Sequence, residues 1–162
     1  MRIRQYREED RGRLHQITAS SFREASIHGK LEGMYGRLRG TTWAERKCRD
    51  IDEDIAAEPE GVLVAETEEG EVVGYITTTT DETCGIGRIP NLAVDPDHQG
   101  QGIGTQLINA ALDRFDDRGM ELAKIETLAT NEAGQALYPR FGFQEIVRQI
   151  HYIMRMEDAK RL

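Results

Sequence analysis

Lysine is scarce in this 162-residue chain: four of its 21 basic residues are lysine, and none sits in a GxxxxGK[ST] pattern. That excludes a Walker A loop, whose lysine must reach the outer phosphates. Long apolar runs are missing too. None approaches the ~18–20 residues that cross a bilayer, and Met1-Arg2-Ile3-Arg4-Gln5-Tyr6 lacks the apolar region of a signal peptide. The two cysteines, Cys48 and Cys84, have no CxxC or metal-ligand spacing and read as unpaired thiols in a reducing compartment. His15, His28, His98 and His151 are scattered, with no HExxH pair, so no metal is expected. Excess positive charge is also absent. A net charge of −8 argues against a nucleic-acid partner, and the sequence contains no basic cluster.

What remains is a chain that is 38% hydrophobic and 31% charged, the composition of a soluble globular protein. Its length suffices for one core without staples, so residues 1–162 are expected to form a single cytoplasmic domain with no membrane association.

Apolar periodicity orders the elements. Met1–Tyr6 alternates as a strand, and Asp10 stands as an N-cap before Leu14, Ile17 and Phe22 at helical spacing. Ser26–Thr42 is interrupted by four glycines and has no clear assignment, whereas Trp43–Ala57 is helical and ends before Pro59. Val62–Glu66 and Val72–Thr80 flank Glu68-Glu69-Gly70 as a hairpin. Ile86–Val94 is a strand whose Pro90 belongs at an edge, an end or a bulge. Ile103, Leu107, Ile108, Ala111, Leu112 and Phe115 mark one helix face. Glu121–Leu128 reads as a strand, Glu132–Arg140 as a short helix, and Phe143–Met156 as two more strands. The sum is an α/β domain with a mixed central sheet of about seven strands and about four helices.

The most informative segment is Val94-Asp95-Pro96-Asp97-His98-Gln99-Gly100-Gln101-Gly102-Ile103-Gly104-Thr105. Three glycines at alternate positions join a buried strand to an amphipathic helix. Such a turn aims unpaired N–H groups into one concavity, where the helix dipole favours an anion such as a pyrophosphate. A dinucleotide fingerprint needs a third glycine where Thr105 stands. On glycine spacing alone, a ligand-free strand-to-helix turn stays open as an alternative.

Gln99, Gly102 and Gly104 match the Q/R-x-x-G-x-G/A signature of the GCN5-related N-acetyltransferase (GNAT) superfamily, which the chain resembles. Asn91-Leu92-Ala93-Val94-Asp95-Pro96 is similar to that family's fourth strand running into its loop. Asn131, Leu137-Tyr138 and Gly142-Phe143 resemble its second hallmark. One departure is Gly134, where the family often has alanine; another is Pro139, which disfavours α geometry at Tyr138. The resemblance implies a GNAT-like fold with strands four and five splayed around CoA, and an acetyl-CoA-dependent N-acetyltransferase acting on a primary amine.

It also implies roles. Gln99, Gly100, Gln101, Gly102, Ile103, Gly104 and Thr105 would cradle the pyrophosphate, a backbone N–H of Leu92 or Ala93 beside Val94 would polarise the thioester oxygen, and Asn131 would hold the cofactor arm or order the site. Tyr138 is the candidate general acid for the departing thiolate. Glu126, in the strand Ala123–Leu128, is the candidate base, as in ribosomal-protein N-terminal acetyltransferase-like members; burial there would raise its pKa. The alternative for Glu126 is a solvent-facing glutamate, and for Tyr138 a core aromatic. No acyl-enzyme is needed, and no His base accompanies Cys84.

The acceptor is expected to meet Ser26–Thr42 and the last hairpin near Gln149–Tyr152, with Tyr35, Trp43, His28 and Tyr152 as lining residues. It could be a small molecule, a peptide N-terminus or a lysine. A non-catalytic CoA-binding or sensing module is the alternative function, since it would need the cradle but neither Glu126 nor Tyr138. An acetyltransferase acting on aminoacyl-tRNA is disfavoured by the negative charge. Homodimers are common among such domains, although no residue of the sequence proves one.

Overall fold

The computed structural model describes residues 1–161. Five strands form one sheet in chain order: β1 (Arg2–Gln5), β2 (Val62–Glu66), β3 (Val72–Asp81), β4 (Ile86–Val94) and β5 (Leu122–Ile125). The first four pair antiparallel, and β5 runs parallel to β4. A parallel neighbour needs a crossover, supplied by α4 (Ile103–Asp117).

The strands' side chains divide between two cores, by alternation along β2 and with a bulge at Val73 of β3 opposite Ala65-Glu66. On one side Val62, Val64 and Tyr75 pack with Leu14 and Ile17 of α1 (Arg11–Ser21) and Ile51 and Ile55 of α3 (Trp43–Ala57). On the other, Ala65, Val73 and Ile76 meet Ile103, Leu107, Ile108, Ala111 and Phe115 of α4. Burying each of the larger aliphatic side chains stabilises the fold by about 1.5–3 kcal/mol. The start of α3 is fixed by a capping box in which Thr42 and Glu45 satisfy each other's backbone N–H.

The segment without a sequence assignment contains a helix, α2 (Ile27–Tyr35), capped by Ser26 Oγ accepting from the Gly29 N–H at 3.0 Å. Gly29 has a steric purpose: a Cβ there would lie 1.8 Å from the Arg23 carbonyl oxygen. With α5 (Glu132–Leu137), the helices number five rather than about four.

The expectation of about seven strands is also corrected to five, because Phe143–Met156 forms no strand. Ile150, Tyr152, Met154 and Met156 do alternate as a strand would, but no strand of the sheet pairs with them. Residues 144–155 carry no regular secondary structure, and Ile146 is 86% exposed. β5 is shorter than its apolar run, and the expected helix to Arg140 ends at Leu137, giving way to a 3-10 turn at Tyr138–Phe141. Among the described residues, no helix is long and apolar enough to cross a membrane.

Two irregularities of β4 position the site. Thr77 pairs with Asn91 but Thr79 with Arg88, so β4 spends one residue more than β3 across this interval, a bulge at Ile89-Pro90. Consequently Ile89 faces the α4 core while Asn91 and Ala93 face α1 and α3. The β4–β5 pairing, moreover, ends at Ile89–Ile125, leaving Pro90–Val94 without a β5 partner.

Candidate active site

The open edge of β4 carries backbone donors. Asp95 N–H donates to Val73 O at 2.8 Å, and Ala93 lies opposite Tyr75. By the alternation of an antiparallel ladder, the Ala93 N–H then turns towards β3 and the Leu92 N–H towards the gap. Of the two expected donors, Leu92 is therefore the one free to meet a ligand.

The chain next makes a short 3-10 turn, Pro96–His98, capped by the Asp95 carboxylate accepting from the Asp97 N–H at 3.0 Å. Arg13 of α1 donates to the same carboxylate at 2.6 Å. The Asp97 N–H and the Arg13 guanidinium outweigh burial and hold this carboxyl below its usual range. Gln99 Nε2 donates to the Val94 carbonyl at 3.1 Å, folding the loop back on its strand.

Gly100 and Gly102 have φ of 76° and 77°, the left-handed region that glycine enters without strain. A Cβ at either would meet nothing within 4 Å, so both border open space. Gly102 caps α4 without any side chain. The N–H groups of Ile103, Gly104 and Thr105 therefore keep the unclaimed character of a helix start, whereas the Ile103 side chain is buried in the core. A Cβ at Gly104 would have only Leu137 Cδ2 near it, at 3.7 Å, which puts the cradle beside α5. These features fit a pyrophosphate: an open concavity, donors without partners and a helix dipole behind them.

Tyr138 follows Leu137 directly and opens the 3-10 turn, and its backbone keeps α geometry, φ −64° and ψ −40°, despite the Pro139 that follows it. Its ring is half-buried and meets Phe143 edge-on with centroids 6.3 Å apart. Burial pushes the Tyr138 phenol up from its ordinary value, and the Thr127 hydroxyl opposes this.

Thr127, which the sequence reading did not single out, links the group. Asn131 Nδ2 donates to Thr127 Oγ1 at 2.8 Å, and Asn131 Oδ1 accepts from the Gly134 N–H at 3.2 Å as the cap of α5. Asn131 thus has both side-chain atoms committed to ordering the turn. Only its place at the start of α5, three residues before a glycine, hints at such a cap in the sequence.

Glu126 lies just beyond β5, with its side chain 73% exposed and ion-paired to Lys124. The burial expected for it is absent, because the edge strand β5 leaves alternate side chains to solvent. A further polar group stands behind Leu92. Asn91, 5% exposed, donates through Nδ2 to Asp54 of α3 at 2.6 Å, and Thr77 Oγ1 donates to the same carboxylate oxygen at 2.7 Å. Asn91 Oδ1 has no partner among the described residues.

A mixed sheet in which β4 runs on past its last pairing with β5, with a glycine turn at the start of α4, defines an α/β fold with a candidate anion cradle. Residues 14–143 match the Acetyltransferase (GNAT) family, and the chain belongs to that family. It is 33% identical over 91 residues to mycothiol acetyltransferase of Kytococcus sedentarius, covering 56% of this chain and 30% of that protein. It is 40% identical over 62 residues to the [ribosomal protein bS18]-alanine N-acetyltransferase of Escherichia coli K12, covering 38% of this chain and 42% of that one. These matches span less than half of each relative's own length.

Solved structures share the fold. PH1933 from Pyrococcus horikoshii OT3 superposes with a TM-score of 0.72 at 21% identity, covering 91% of each chain. The PaiA N-acetyltransferase from Thermoplasma acidophilum, in complex with coenzyme A, gives 0.69 at 18% identity, covering 88% of this chain and 89% of that one.

Proposed function

We propose that the protein transfers an acetyl group from acetyl-CoA to a primary amine by direct attack of the amine on the thioester. The observation that carries this reading is the run of unclaimed N–H groups at the start of α4 beside the gap between β4 and β5. The cradle would take the pyrophosphate, and the gap would admit the pantetheine arm.

The chain's own groups supply the rest. The Leu92 N–H would stabilise charge building on the carbonyl oxygen. As the C–N bond forms and the C–S bond breaks, the Tyr138 phenol would donate its proton to the leaving sulfur, a role suited to a phenol kept protonated by burial. Glu126, exposed at the end of β5, would accept the proton lost by the amine and release it to water. Asn131 and Thr127 would hold Tyr138 in place.

The exposure of Glu126 favours a second reading, a CoA-binding module that does no chemistry. Free-thiol release from acetyl-CoA, followed against peptide N-termini, lysine peptides, polyamines, amino acids and aminoglycosides, separates the two. Turnover that falls at least a hundredfold in Tyr138→Phe supports the transferase. Binding of acetyl-CoA without turnover on any acceptor sinks it.

A further inference from the structure

Arginine is used unevenly over this surface. Ten of the chain's 17 arginines lie within 4.0 Å of a carboxylate. Of the seven without one among the described residues, Arg37, Arg39, Arg49 and Arg155 line a single groove of about 580 Å³. The sequence shows no basic cluster because the groove is assembled from distant parts: the turn after α2, the middle of α3 and the C-terminal segment. Acidic residues outnumber basic ones 29 to 21, so four adjacent guanidinium groups with no carboxylate within 4.0 Å among the described residues run against the composition, although Glu45 lies near enough to feel Arg37 and Glu157 lines the pocket that Arg155 shares. Their mutual repulsion disfavours the cluster unless an external anion answers it.

The walls are held in place. Arg46, buried beneath the turn, donates through Nη1 to the Thr41 carbonyl at 2.7 Å and through Nη2 to the His28 carbonyl at 3.4 Å. Its guanidinium also lies 3.5 Å from Glu32 of α2, whose carboxylate accepts from the Trp43 N–H. Arg155 stacks over the Tyr35 ring, 5.0 Å from its centroid. Tyr35, Leu38 and Arg155 also border an adjoining, mostly apolar pocket of about 340 Å³, completed by Leu31, Ile153, Met154 and Met156, with Glu157 as its one carboxylate. A cationic groove thus runs directly into an apolar one.

We propose that this joint groove binds an acidic peptide segment, with two or more carboxylates at the arginines and an apolar side chain in the adjoining pocket. Four guanidinium groups exceed what one carboxylate can engage, since its two oxygens offer about four acceptor sites. A nucleic acid fits less well. Phosphate-driven binding uses about 6–10 cationic contacts, and the one aromatic ring here is already covered by Arg155. The proposal concerns binding and stands apart from the transferase reading; under that reading, an acidic peptide is the first acceptor class to try.

The test is fluorescence anisotropy with a labelled peptide carrying Glu and Asp around a leucine, measured without acetyl-CoA at low and high salt. The same peptide with Gln and Asn, and a single-stranded oligonucleotide, run beside it. The acidic peptide is expected to bind at least tenfold more tightly than the neutral one and to weaken with salt. The paired variant Arg37→Glu/Arg39→Glu should lose at least tenfold, Arg155→Gln severalfold, and Arg23→Gln, an exposed arginine outside the groove, nothing. Equal binding of the acidic and neutral peptides, tighter binding of the oligonucleotide, or indifference to both groove variants overturns the proposal. Because no turnover is read, its failure leaves the transferase assignment standing, and failure of thiol release leaves this binding intact.

Discussion

Gly134 and Tyr138 are neighbours that leave no room for a methyl group: a Cβ on Gly134 would sit 3.1 Å from Tyr138 Cε2 and 2.9 Å from Asn131 Nδ2. The glycine that departs from the family's usual alanine is a clearance between two site residues. In Gly134→Ala, the helix-propensity gain of about 1 kcal/mol opposes an overpacking cost of about 1–3 kcal/mol. The expected result is a small change in melting temperature with turnover down about tenfold, as Tyr138 shifts relative to the sulfur. Melting and thiol release measured on one preparation check it; unchanged turnover would mean that the ring position is not critical.

The cradle offers a cleaner separation of stability from binding. Gly102→Ala meets no neighbour and suffers only from its left-handed φ, at a cost of about 1–2 kcal/mol. The rise in melting temperature that CoA gives the parent protein should shrink by more than half in this variant. An undiminished shift would show that the ligand does not use this turn.

Gly87 tests the support of β4. A Cβ there would lie 2.4 Å from Phe115 Cδ1, so Gly87→Ala should lose about 1–3 kcal/mol. Gly87→Ala/Phe115→Leu, which removes the obstructing ring, should recover part of that loss. Urea denaturation of both proteins decides, and equal losses would rule out the clash as the cause.

Acid should loosen the link between α1 and the cradle. The folded-state pKa of Asp95 lies below its unfolded value, so its contribution is fully present above that unfolded value, about 4. It is lost as pH falls through the lower folded value. Asp95→Asn lacks this contribution at every pH. The gap in melting temperature between the two proteins should therefore be widest near neutrality and narrow below pH ~4. A constant gap would contradict the assignment.

Much of this architecture could be read from the chain because it rests on local periodicity. The apolar faces of α3 and α4, the hairpin of β2 and β3, and the proline bulge of β4 each leave a signature within a dozen residues. What could not be read depends on partners far away. Ile146 and Tyr152 have strand-forming side chains, but no neighbouring strand takes them up. Glu126 sits in an apolar run, yet an edge strand gives it to solvent. Thr127 acquires its role only when α5 folds back over it, and the arginine groove exists only once residues 37 and 155 meet.

The extra residue in β4 acts like a change of reading frame. Upstream of Pro90 the odd-numbered residues Gly87 and Ile89 belong to α4; downstream, the odd-numbered Asn91 and Ala93 belong to α1 and α3. One strand thereby spells two different interiors with a single alternating code. Running the same residues through β4 without the bulge would leave every letter in place and shift the phase. Leu92 and Val94 would turn towards α1 and α3, and Asn91 with its partnerless oxygen would turn into the apolar packing of α4.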